Sequence, residues 1–374
     1  MGYKPIMNGN RFGTLFQVTT WGESHGPALG AVLDGCPSGL PLSAEDFLPD
    51  MARRQGGAAF ATPRKEADRV CIESGVFEGL TTGTPIALRI ENSAQQSKDY
   101  DAYRDIPRPG HADLTTHLKH GHRDHRGGGR SSARETAARV AAGVVAKKLL
   151  QRNGIELAAW LTRAGPFEVS PEEQRKLCEL SLPQLRQLRD ASPLGAPFTQ
   201  AATWQKEAET LRETGDSWGG RVTCRVDHLP PGLGEPLFDK LGALLAHALM
   251  SLPAAVAFEA GGGLAMSREK GSLIRDAIVS GPAGPRPLEN RHGGLLGGMT
   301  SGLPLLLHVA FHGPTSIPRK IESVDLRSGK TAEISVEGRH DACPLPRILP
   351  VVEAMVAITL ADAMLRAGRI PERL

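Results

Sequence analysis

Short apolar runs separated by turn-forming residues dominate the first quarter of the chain. Such runs occur at Leu15–Thr20, Ala28–Leu33, Val70–Glu73 and Pro85–Ile90. Runs of this length that end at glycine or another turn residue are typical of β-strands. Between the second and third runs, Ser43 and Asp46 have the spacing of a capping box, in which each side chain bonds to the other residue's backbone. This spacing predicts a short helix that ends near Arg54.

The segment from Glu91 to about Gly129 has few apolar residues and no periodicity of either kind. A connection of this length without helix or strand is uncommon inside a compact domain, and it is usually either functional or disordered. Five of the chain's 12 histidines and many of its arginines fall in this segment. We therefore expect a functional basic loop here.

The rest of the chain mixes helical and strand-like patterns without a regular β–α alternation. Helices are predicted at Ala133–Asn153, Pro171–Asp190, Thr203–Glu213, Glu235–Met250 and Ile348–Arg366. Strands are predicted at Arg221–Val226, Val256–Glu259, Leu273–Val279, Leu303–Phe311, Ile321–Asp325 and Ala332–Val336. This order predicts an α+β fold, rather than a doubly wound sheet, in a single domain over residues 1–374 with long basic loops.

The composition indicates an ordinary globular protein with a sizeable core. Apolar residues make up 40% of the 374 positions. Lys and Arg number 44 against 41 Asp and Glu, so the net charge of +3 is too small to indicate nucleic-acid binding. Any strongly basic site must therefore be local.

Cysteine usage and the N-terminus indicate a cytoplasmic protein. The cysteines are far apart and form no CxxC pair: Cys36, Cys71, Cys178, Cys224 and Cys343. Such cysteines are typical of small buried side chains in a reducing compartment, without a disulfide framework or a zinc site. The N-terminus has no apolar signal region, and we expect no run that approaches the length of a membrane span.

The stretch Gly127–Glu135 has the chemistry of an anion site. Three glycines, an arginine and Ser131 come directly before Ser132, which with Glu135 has the spacing of a capping box and predicts that a helix begins there. Free amides at a helix N-terminus, hydroxyls and guanidinium groups together suit a phosphate. The alternative is an ordinary tight turn with solvated arginines. The stretch is not a Walker A loop, because the terminal Lys-Ser/Thr pair is missing.

Two histidines stand between turn-forming residues. His25 lies in the stretch Gly22–Gly26, where it can act as a general acid near neutral pH. The letters fit G-x-S-x-G, but a nucleophile elbow requires a following helix, and Pro27 and a strand-like run follow instead. His111 lies within RPGHAD, two residues before a carboxylate. Taken alone, a histidine in a glycine turn is more often structural than catalytic.

Further polar and glycine-rich segments complete the candidate chemistry. His117, His120, His122 and His125 lie close together without an HExxH motif or a cysteine partner, so a phosphate-facing basic loop is favoured over a metal site. The glycines at 261–263 and 293–298 suggest a close approach of backbone to a flat ligand, with loose turns as the alternative. Arg339 and Asp341 form a charged pair before the last helix. The residues alone therefore indicate a cationic, phosphate-binding site with at least two histidines and an acid.

Several segments together resemble the chorismate synthase family over nearly the whole chain. The matching stretches are GESHGPALGAVLDGCPSG, RGGGRSSARETAARVAAG, RHDACPLPRILPVVEAMVA, RPGHAD, SGVFEGLTTGTPIAL, GDSWGG and GLGEPLFDKL. The resemblance implies a β-α-β sandwich and a homotetramer. It also implies a lyase that converts 5-enolpyruvylshikimate 3-phosphate to chorismate by 1,4-anti elimination of phosphate. Reduced FMN is the implied cofactor, and a separate, NADP-linked flavin reductase is the implied partner.

The resemblance also implies roles for individual residues. His25 would protonate the departing phosphate, His111 would be a proton donor to the flavin, and Asp341 would assist, with Ser24 and Ser132 as neighbours. The flavin would contact Arg130, Ser131, Ser132, Pro253, Ala254, Gly297, His312, Thr315, Ser316 and Arg339. The substrate would contact Arg54, Arg130 and Arg339. No metal, nucleic acid or membrane is implied.

The sequence departs from the family pattern at three places, where up to three positive charges are absent. Ala59 and Phe60 follow the paired arginines where the family has a further Arg; Val256 replaces a Lys and Gly262 an Asp; and His312 replaces the Lys of a flavin-phosphate loop. An alternative to an active enzyme is therefore a non-catalytic or regulatory flavin-binding relative with the same fold. A nucleic-acid binder fits the mild charge and few aromatics least well.

Overall fold

The strands of the protein have at most nine residues each among the described residues. In the computed structural model, residues 9–55, 68–93, 100, 103–192, 194–197, 199–282, 284–336 and 341–374 are described. Within them the strands are β1 (Arg11–Phe12), β2 (Gln17–Trp21), β3 (Ala28–Asp34), β4 (Val70–Ile72), β5 (Val76–Phe77), β6 (Leu80–Thr81), β7 (Ile86–Glu91), β8 (Glu156–Ala164), β9 (Phe167–Glu168), β10 (Gly220–Asp227), β11 (Ala255–Ala260), β12 (Ile278–Gly281), β13 (Gly284–Pro287), β14 (Leu295–Leu296), β15 (Met299–Thr300), β16 (Leu305–Phe311), β17 (Ile321–Val324) and β18 (Thr331–Ile334).

The helices include two long ones that lie at the centre of the molecule. In the same residues they are α1 (Leu48–Gln55), α2 (Asp113–His120), α3 (Thr136–Arg152), α4 (Pro171–Glu179), α5 (Leu182–Ala191), α6 (Ala201–Glu213), α7 (Leu241–Met250), α8 (Gly271–Ile274) and α9 (Leu345–Arg366).

Two antiparallel sheets enclose a layer of helices. One sheet has the strand order β1-β2-β3-β7-β4 and the other has the order β11-β16-β10-β8-β9. Helix α3 packs on β3 and β7 of the first sheet, and α9 packs on β8 and β10 of the second. The fold is therefore the predicted α+β, β-α-β sandwich.

Helices α3 and α9 form the middle layer because both are apolar on nearly every face. From Leu349 to Met364 every residue of α9 is buried. Helix α9 is long and apolar enough to cross a membrane by length and composition, contrary to the sequence expectation, but 89% of its apolar window is buried inside the fold. A helix that is apolar all round belongs in a core, and burial against both sheets identifies α9 as a core helix.

Most predicted elements are confirmed, and the differences have local physical causes. The basic segment contains helix α2, which ends at Gly121 in the left-handed conformation. The helix predicted over Pro171–Asp190 is two helices, because Ser181 and Gln184 form a new capping box that starts α5. Helix α7 begins at Leu241 rather than at Glu235.

The element predicted at Leu273–Val279 is wrong, and the long strand β8 was not predicted. The strand predicted at Leu273–Val279 is instead the short helix α8 followed by β12 from Ile278. Strand β8 was not predicted, because its run of apolar and alanine residues has no alternation. It is buried on both faces, and this removes the alternating pattern that reveals a half-buried strand.

Candidate active site

The glycine run Gly127–Gly129 brings His25 and His111 to one place. All three glycines have positive φ, between 54° and 94°. A Cβ on Gly127 would lie 2.5 Å from Cδ2 of His25, and a Cβ on Gly128 would lie 2.8 Å from Cε1 and Nε2 of His111. The backbone thus passes between the two rings as only glycine permits, and the two predicted catalytic histidines share one loop.

The start of helix α3 differs from the prediction. Ser132 accepts a hydrogen bond from the backbone N–H of Arg134 at 3.3 Å, so it is an N-cap, but of a 3-10 turn over residues 133–135. The α-helix begins at Thr136. The predicted capping box is wrong, because the carboxylate of Glu135 pairs with Arg139 at 3.0 Å instead of reaching back to Ser132. Ser132 remains half-buried beside the glycine run.

His25 is buried and held by aromatic and backbone contacts. Its ring is 5% exposed and meets the ring of Tyr100 edge-on, with the centroids 5.0 Å apart. The backbone N–H of the neighbouring Ser24 donates to the carbonyl of Gly129 at 3.3 Å, and its hydroxyl donates to the carbonyl of Arg126 at 3.4 Å. These bonds tie the turn that carries His25 to the glycine run.

His111 belongs to a second charged cluster joined to the first by Tyr100. Nδ1 of His111 lies 3.0 Å from Oδ1 of the buried Asp113. Arg108 donates to the same carboxylate through Nε at 2.7 Å, and its guanidinium lies 5.6 Å from the centre of the Tyr100 ring. Burial by itself raises the pKa of Asp113, but hydrogen bonds from His111 and Arg108 outweigh it and hold that pKa well below its usual range.

A buried ion-pair network also supports the turn that carries His25. Asp68 accepts from NH1 of Arg54 at 2.8 Å and also pairs with Arg134. Nε of Arg134 donates to the amide oxygen of Asn92 at 2.9 Å. The amide nitrogen of Asn92 in turn donates to the carbonyls of Glu23 at 3.1 Å and Gly26 at 2.9 Å, on either side of His25.

Arg54, which was predicted to hold substrate, is therefore part of this network and only 4% exposed. It also reaches Asp341 indirectly. Nε of Arg347 donates to the carbonyl of Arg54 at 3.0 Å, and NH1 of Arg347 pairs with Asp341 at 2.7 Å. The predicted catalytic acid Asp341 and the predicted substrate ligand Arg54 are thus two contacts apart.

Arg130 anchors the glycine run to strand β2. Its guanidinium donates to the carbonyl of Thr20 at 2.8 Å, to the carbonyl of Gly22 at 3.3 Å and to Oδ1 of Asn10 at 3.2 Å. Burial lowers the pKa of Arg130. The same side chain lines a pocket of about 360 Å³ whose other walls include the predicted flavin contacts Ser131 and Pro253.

The remaining predicted flavin contacts fall into one contiguous group and one outlier. The backbone N–H of His312 donates to the carbonyl of Ala254, beside Pro253, at 3.0 Å. The hydroxyl of Thr315 donates to the carbonyl of Gly110, next to His111, at 3.0 Å, and Ser316 follows in the same loop. The residues 253–254 and 312–316 thus connect the pocket with His111.

Gly297 is the outlier. It lies in the turn between β14 and β15, and the neighbouring Gly298 packs against Lys240 and the carbonyl of Glu235. The nearest atom to a Cβ added at Gly297 is Cε of Met299, at 4.0 Å. Arg339, predicted to contact both flavin and substrate, lies outside the described residues.

The residues that depart from the family pattern lie in separate segments of the chain. Ala59 and Phe60 lie outside the described residues. Val256 is 55% exposed on β11, which is an edge strand of its sheet. Gly262 packs against Met266. Nδ1 of the exposed His312 lies 2.6 Å from the carbonyl of Gly313, which can only accept, so Nδ1 carries a proton.

Other histidines of the basic segment lie in a second pocket of about 510 Å³, lined by His117, His122 and His125 together with Arg104, Arg123 and Arg327. Among the residues described, no group of three or more His, Cys, Asp or Glu side chains could hold a metal ion. The lining of this pocket is mostly basic, with Asp105 as its acidic member.

Sequence reasoning missed several residues that build the site: Asp68, Asn92, Tyr100, Arg108, Asp113, Arg134 and Arg347. Asp113 had a signal, since it follows His111 by two residues in RPGHAD. Asn92 and Asp68 had none, because each meets its partners only through long-range packing. A lone Asn or Asp next to a strand is usually a turn residue.

The fold and the site together define an α+β sandwich protein whose histidines and arginines surround a glycine-rich loop suited to acid–base chemistry on an anionic substrate. The chain matches the family model described as "Chorismate synthase" over residues 16–365. The chain belongs to the chorismate synthase family, and it is an enzyme of this type, a lyase of the shikimate pathway.

Curated relatives and a solved structure are similar over nearly their full lengths. A chorismate synthase of Methanosarcina mazei is 45% identical over 98% of this chain and 99% of its own. One from Syntrophus aciditrophicus is 48% identical over 96% of this chain and 98% of its own. A crystal structure of chorismate synthase is 32% identical, with a TM-score of 0.76 over 95% of this chain and 93% of the other.

Proposed function

We propose that this enzyme converts 5-enolpyruvylshikimate 3-phosphate to chorismate and phosphate, with reduced FMN as cofactor. The observation that carries the proposal is the placement of His25 and His111 on either side of Gly127 and Gly128, directly before the cap at Ser132. An elimination of phosphate requires a proton at the leaving group and fixed positive charge around it. This site offers both kinds of group at one loop.

The chain's residues divide the work in the proposed mechanism. His25 would give a proton to the oxygen of the departing phosphate as the C–O bond breaks. The C–O electrons leave with the phosphate, the electrons of the C6–H bond enter the new ring double bond, and the proton released from C6 balances the one given to the phosphate. Arg54 and Arg130 supply positive charge toward the substrate. His111 moves a proton at Nε2, and Asp341 assists it, with Ser24 and Ser132 as hydrogen-bonding neighbours.

The residues around the proposed flavin site fit an anionic, planar group. The pocket that contains Arg130, Ser131 and Pro253 also has Arg11 and Arg139 in its walls, and its volume of about 360 Å³ lies in the range of cofactor sites. The loop of His312, Thr315 and Ser316 lies between this pocket and His111. Reduced FMN would supply electron density to the reacting substrate without net oxidation.

His312 can bind a flavin phosphate only under conditions that a lysine at this position would not require. Because Nδ1 already donates to Gly313, Nε2 can donate to a phosphate only in the imidazolium form. Arg339 is proposed to complete the flavin and substrate contacts, and Gly297 to approach the flavin.

We further propose a cytoplasmic homotetramer that receives reduced flavin from a separate reductase. Exposed apolar side chains support association, since Leu264, Leu273 and Ile278 are 65%, 54% and 75% exposed. Covering such side chains with a second copy would remove apolar surface from water, which favours association. Light scattering on the purified protein tests the assembly, and a mass other than that of four chains contradicts it.

The decisive test of function is an anaerobic assay of the purified protein with reduced FMN and 5-enolpyruvylshikimate 3-phosphate. Chorismate and phosphate should appear in equal amounts. Flavin binding without release of either product, even at high flavin concentration, would instead indicate the non-catalytic flavin-binding relative.

His111→Ala should abolish turnover while the melting temperature changes little, and retained turnover would show that the role of His111 was assigned wrongly.

A further inference from the structure

Asp113 is a buried carboxylate that lies between His111 and two arginines. Its side chain is 3% exposed. Oδ1 lies 3.0 Å from Nδ1 of His111, 3.1 Å from NH2 of Arg108 and 3.2 Å from NH1 of Arg123. Oδ2 accepts from Nε of Arg108 at 2.7 Å and from the backbone N–H of Arg108 at 3.1 Å. The carboxylate is therefore held by five contacts from three residues.

Nδ1 of His111 has two neighbours that make opposite demands on it. NH2 of Arg108, 3.3 Å away, can only donate, so it requires an unprotonated Nδ1. Asp113, 3.0 Å away and ionised, can only accept, so it requires a proton on Nδ1. An unprotonated Nδ1 would direct its lone pair at a carboxylate oxygen, whereas NH2 of Arg108 is already satisfied by that same oxygen. The geometry favours the proton on Nδ1.

We propose that Asp113 is a positioning residue that holds His111 in the Nδ1–H tautomer and leaves Nε2 as the ring atom that exchanges protons in the site. Nε2 lies on the side of Gly128, where a Cβ would come within 2.8 Å of it, so this atom faces the loop shared with His25. The catalytic consequence rests on the proposed function of His111. The tautomer itself does not.

Because Arg108 and Arg123 both bind the carboxylate of Asp113, the variant Asp113→Asn is a sharp test of the tautomer of His111. In Asp113→Asn a single side-chain oxygen replaces two, and Arg108 and Arg123 both require an acceptor. Their demand directs the Asn oxygen toward the guanidinium groups and the Asn NH2 toward His111. A donor at that position forces Nδ1 to become an acceptor, and the proton moves to Nε2. A buried carboxylate that orients a catalytic histidine has this effect in serine proteases, where its amide variant fixes the wrong tautomer.

The experiment measures the ring ¹⁵N chemical shifts of His111 in the full-length protein, using histidine-selective labelling and solid-state NMR. His111→Gln assigns the resonance among the 12 histidines. The matched control is Asp105→Asn. It removes a carboxylate of the same segment, which pairs with Arg327 at 2.9 Å and not with His111. We expect Nδ1–H in the wild type and in Asp105→Asn, and Nε2–H in Asp113→Asn.

The wild-type spectrum tests the assignment even where Asp113→Asn does not fold. An Nε2–H tautomer in the wild-type protein overturns the proposal, because it would mean that Nδ1 accepts from Arg108. An unchanged Nδ1–H tautomer in folded Asp113→Asn overturns it as well, because another group would then hold the ring.

Kinetics separate positioning from a general structural role. Asp113→Asn should lower kcat by about 10²- to 10⁴-fold with KM changed only a few-fold, while Asp105→Asn keeps the wild-type kcat. A purely structural effect would lower the melting temperature and leave kcat per folded molecule unchanged, and this outcome contradicts the proposal. If the wild type itself has no turnover, the proposed function fails while the tautomer measurement still stands.

Discussion

Two adjacent glycines determine how close the site histidines can be. Gly127 and Gly128 have φ of 61° and 94°, and each presents its bare Cα to a histidine ring. A side chain at either position would have to displace a ring rather than solvent. Gly127 and Gly128 are therefore required by packing as well as by backbone conformation, whereas Gly129, with φ of 54° and its nearest atom 3.4 Å from an added Cβ, is required by conformation alone.

Gly127→Ala should reduce kcat by about 100-fold, because a Cβ 2.5 Å from Cδ2 of His25 must push the ring out of position. The left-handed conformation should also cost about 1–2 kcal/mol of stability. Steady-state kinetics and denaturant unfolding measure the two effects separately.

Gly121→Ala is the matched control, since its φ is 69° but no atom lies within 4 Å of the added Cβ. It should lose similar stability with kcat unchanged. Equal loss of kcat in both variants would show that backbone strain, rather than the contact with His25, is responsible.

His308 introduces a pH-dependent contribution away from the site. It lies on β16 with Nδ1 2.8 Å from the hydroxyl of Thr223, opposite Glu259 on β11. Burial, followed by the charge of Arg221, lowers the pKa of His308 to about 4. In the unfolded chain, where His308 is exposed to water, this pKa is about 6.5.

Between pH 6.5 and 4 the unfolded chain therefore binds a proton that the folded chain does not, so acidification should destabilise the fold. We expect a contribution of about 1–3 kcal/mol over this interval. His308→Asn should remove this part of the pH dependence in denaturant unfolding. An acid limb with unchanged slope in the variant would assign the loss of stability to other groups.

At the scale of elements, helices α3 and α9 come closest at a pair of small residues, Gly143 and Ala354. Gly143 lies in the middle of α3, and a Cβ there would come 2.5 Å from Cα of Ala354 in α9. Glycine inside a helix normally costs stability relative to alanine. Here the close approach of two buried helices requires it.

Gly143→Ala should therefore destabilise the protein by about 1–3 kcal/mol despite the better helix propensity of alanine. Gly242→Ala in α7 is the matched control, because the nearest atom to its new Cβ, Cδ1 of Leu295, is 3.4 Å away. The control should be neutral or gain up to about 1 kcal/mol. Thermal and denaturant unfolding compare them, and a stabilised Gly143→Ala would show that α9 can move aside.

Elements were predictable where their pattern is local. The capping box at Ser43, the strand β3 and the helix α6 were all predicted correctly, because the residues that specify each of them are close together in the sequence. Strand β8 and helix α2 were not, for opposite reasons. β8 is too buried to alternate, and α2 is too polar and short to show an apolar face.

At the scale of the whole molecule, Glu353 of α9 connects elements that are far apart in sequence. Its carboxylate bonds to Arg53, to Lys147 at 2.7 Å and to Arg189 at 2.8 Å, and accepts the backbone N–H of Ala159 at 2.9 Å. Burial alone would raise the pKa of Glu353, but the surrounding positive charges hold it well below its usual range. α1, α3, α5, β8 and α9 therefore meet at one carboxylate.

Glu353→Gln should destabilise the protein by about 3–5 kcal/mol, because the buried Arg189 and the half-buried Arg53 and Lys147 lose their shared, buried counter-charge. The surface variant Glu172→Gln removes a pair with Lys176 in which both side chains are 68% exposed, and it should change stability by less than about 0.5 kcal/mol. Denaturant unfolding followed by two spectroscopic probes measures both variants.

If residues 1–374 form the predicted single domain, the two probes should report one coincident unfolding transition of the wild-type protein. Separate transitions would contradict the single domain.

The sequence by itself determined the fold class, the family and the segments that carry chemistry, because periodicity, glycine turns and the stretch RGGGRSS are local features. The tertiary structure alone decided which partners those segments have. Arg54 and Arg134 meet at Asp68, and His111 meets Asp113 and Arg108, through burial that no spacing along the chain encodes. Local pattern specifies backbone conformation, whereas the partner of a buried charge depends on how distant elements pack.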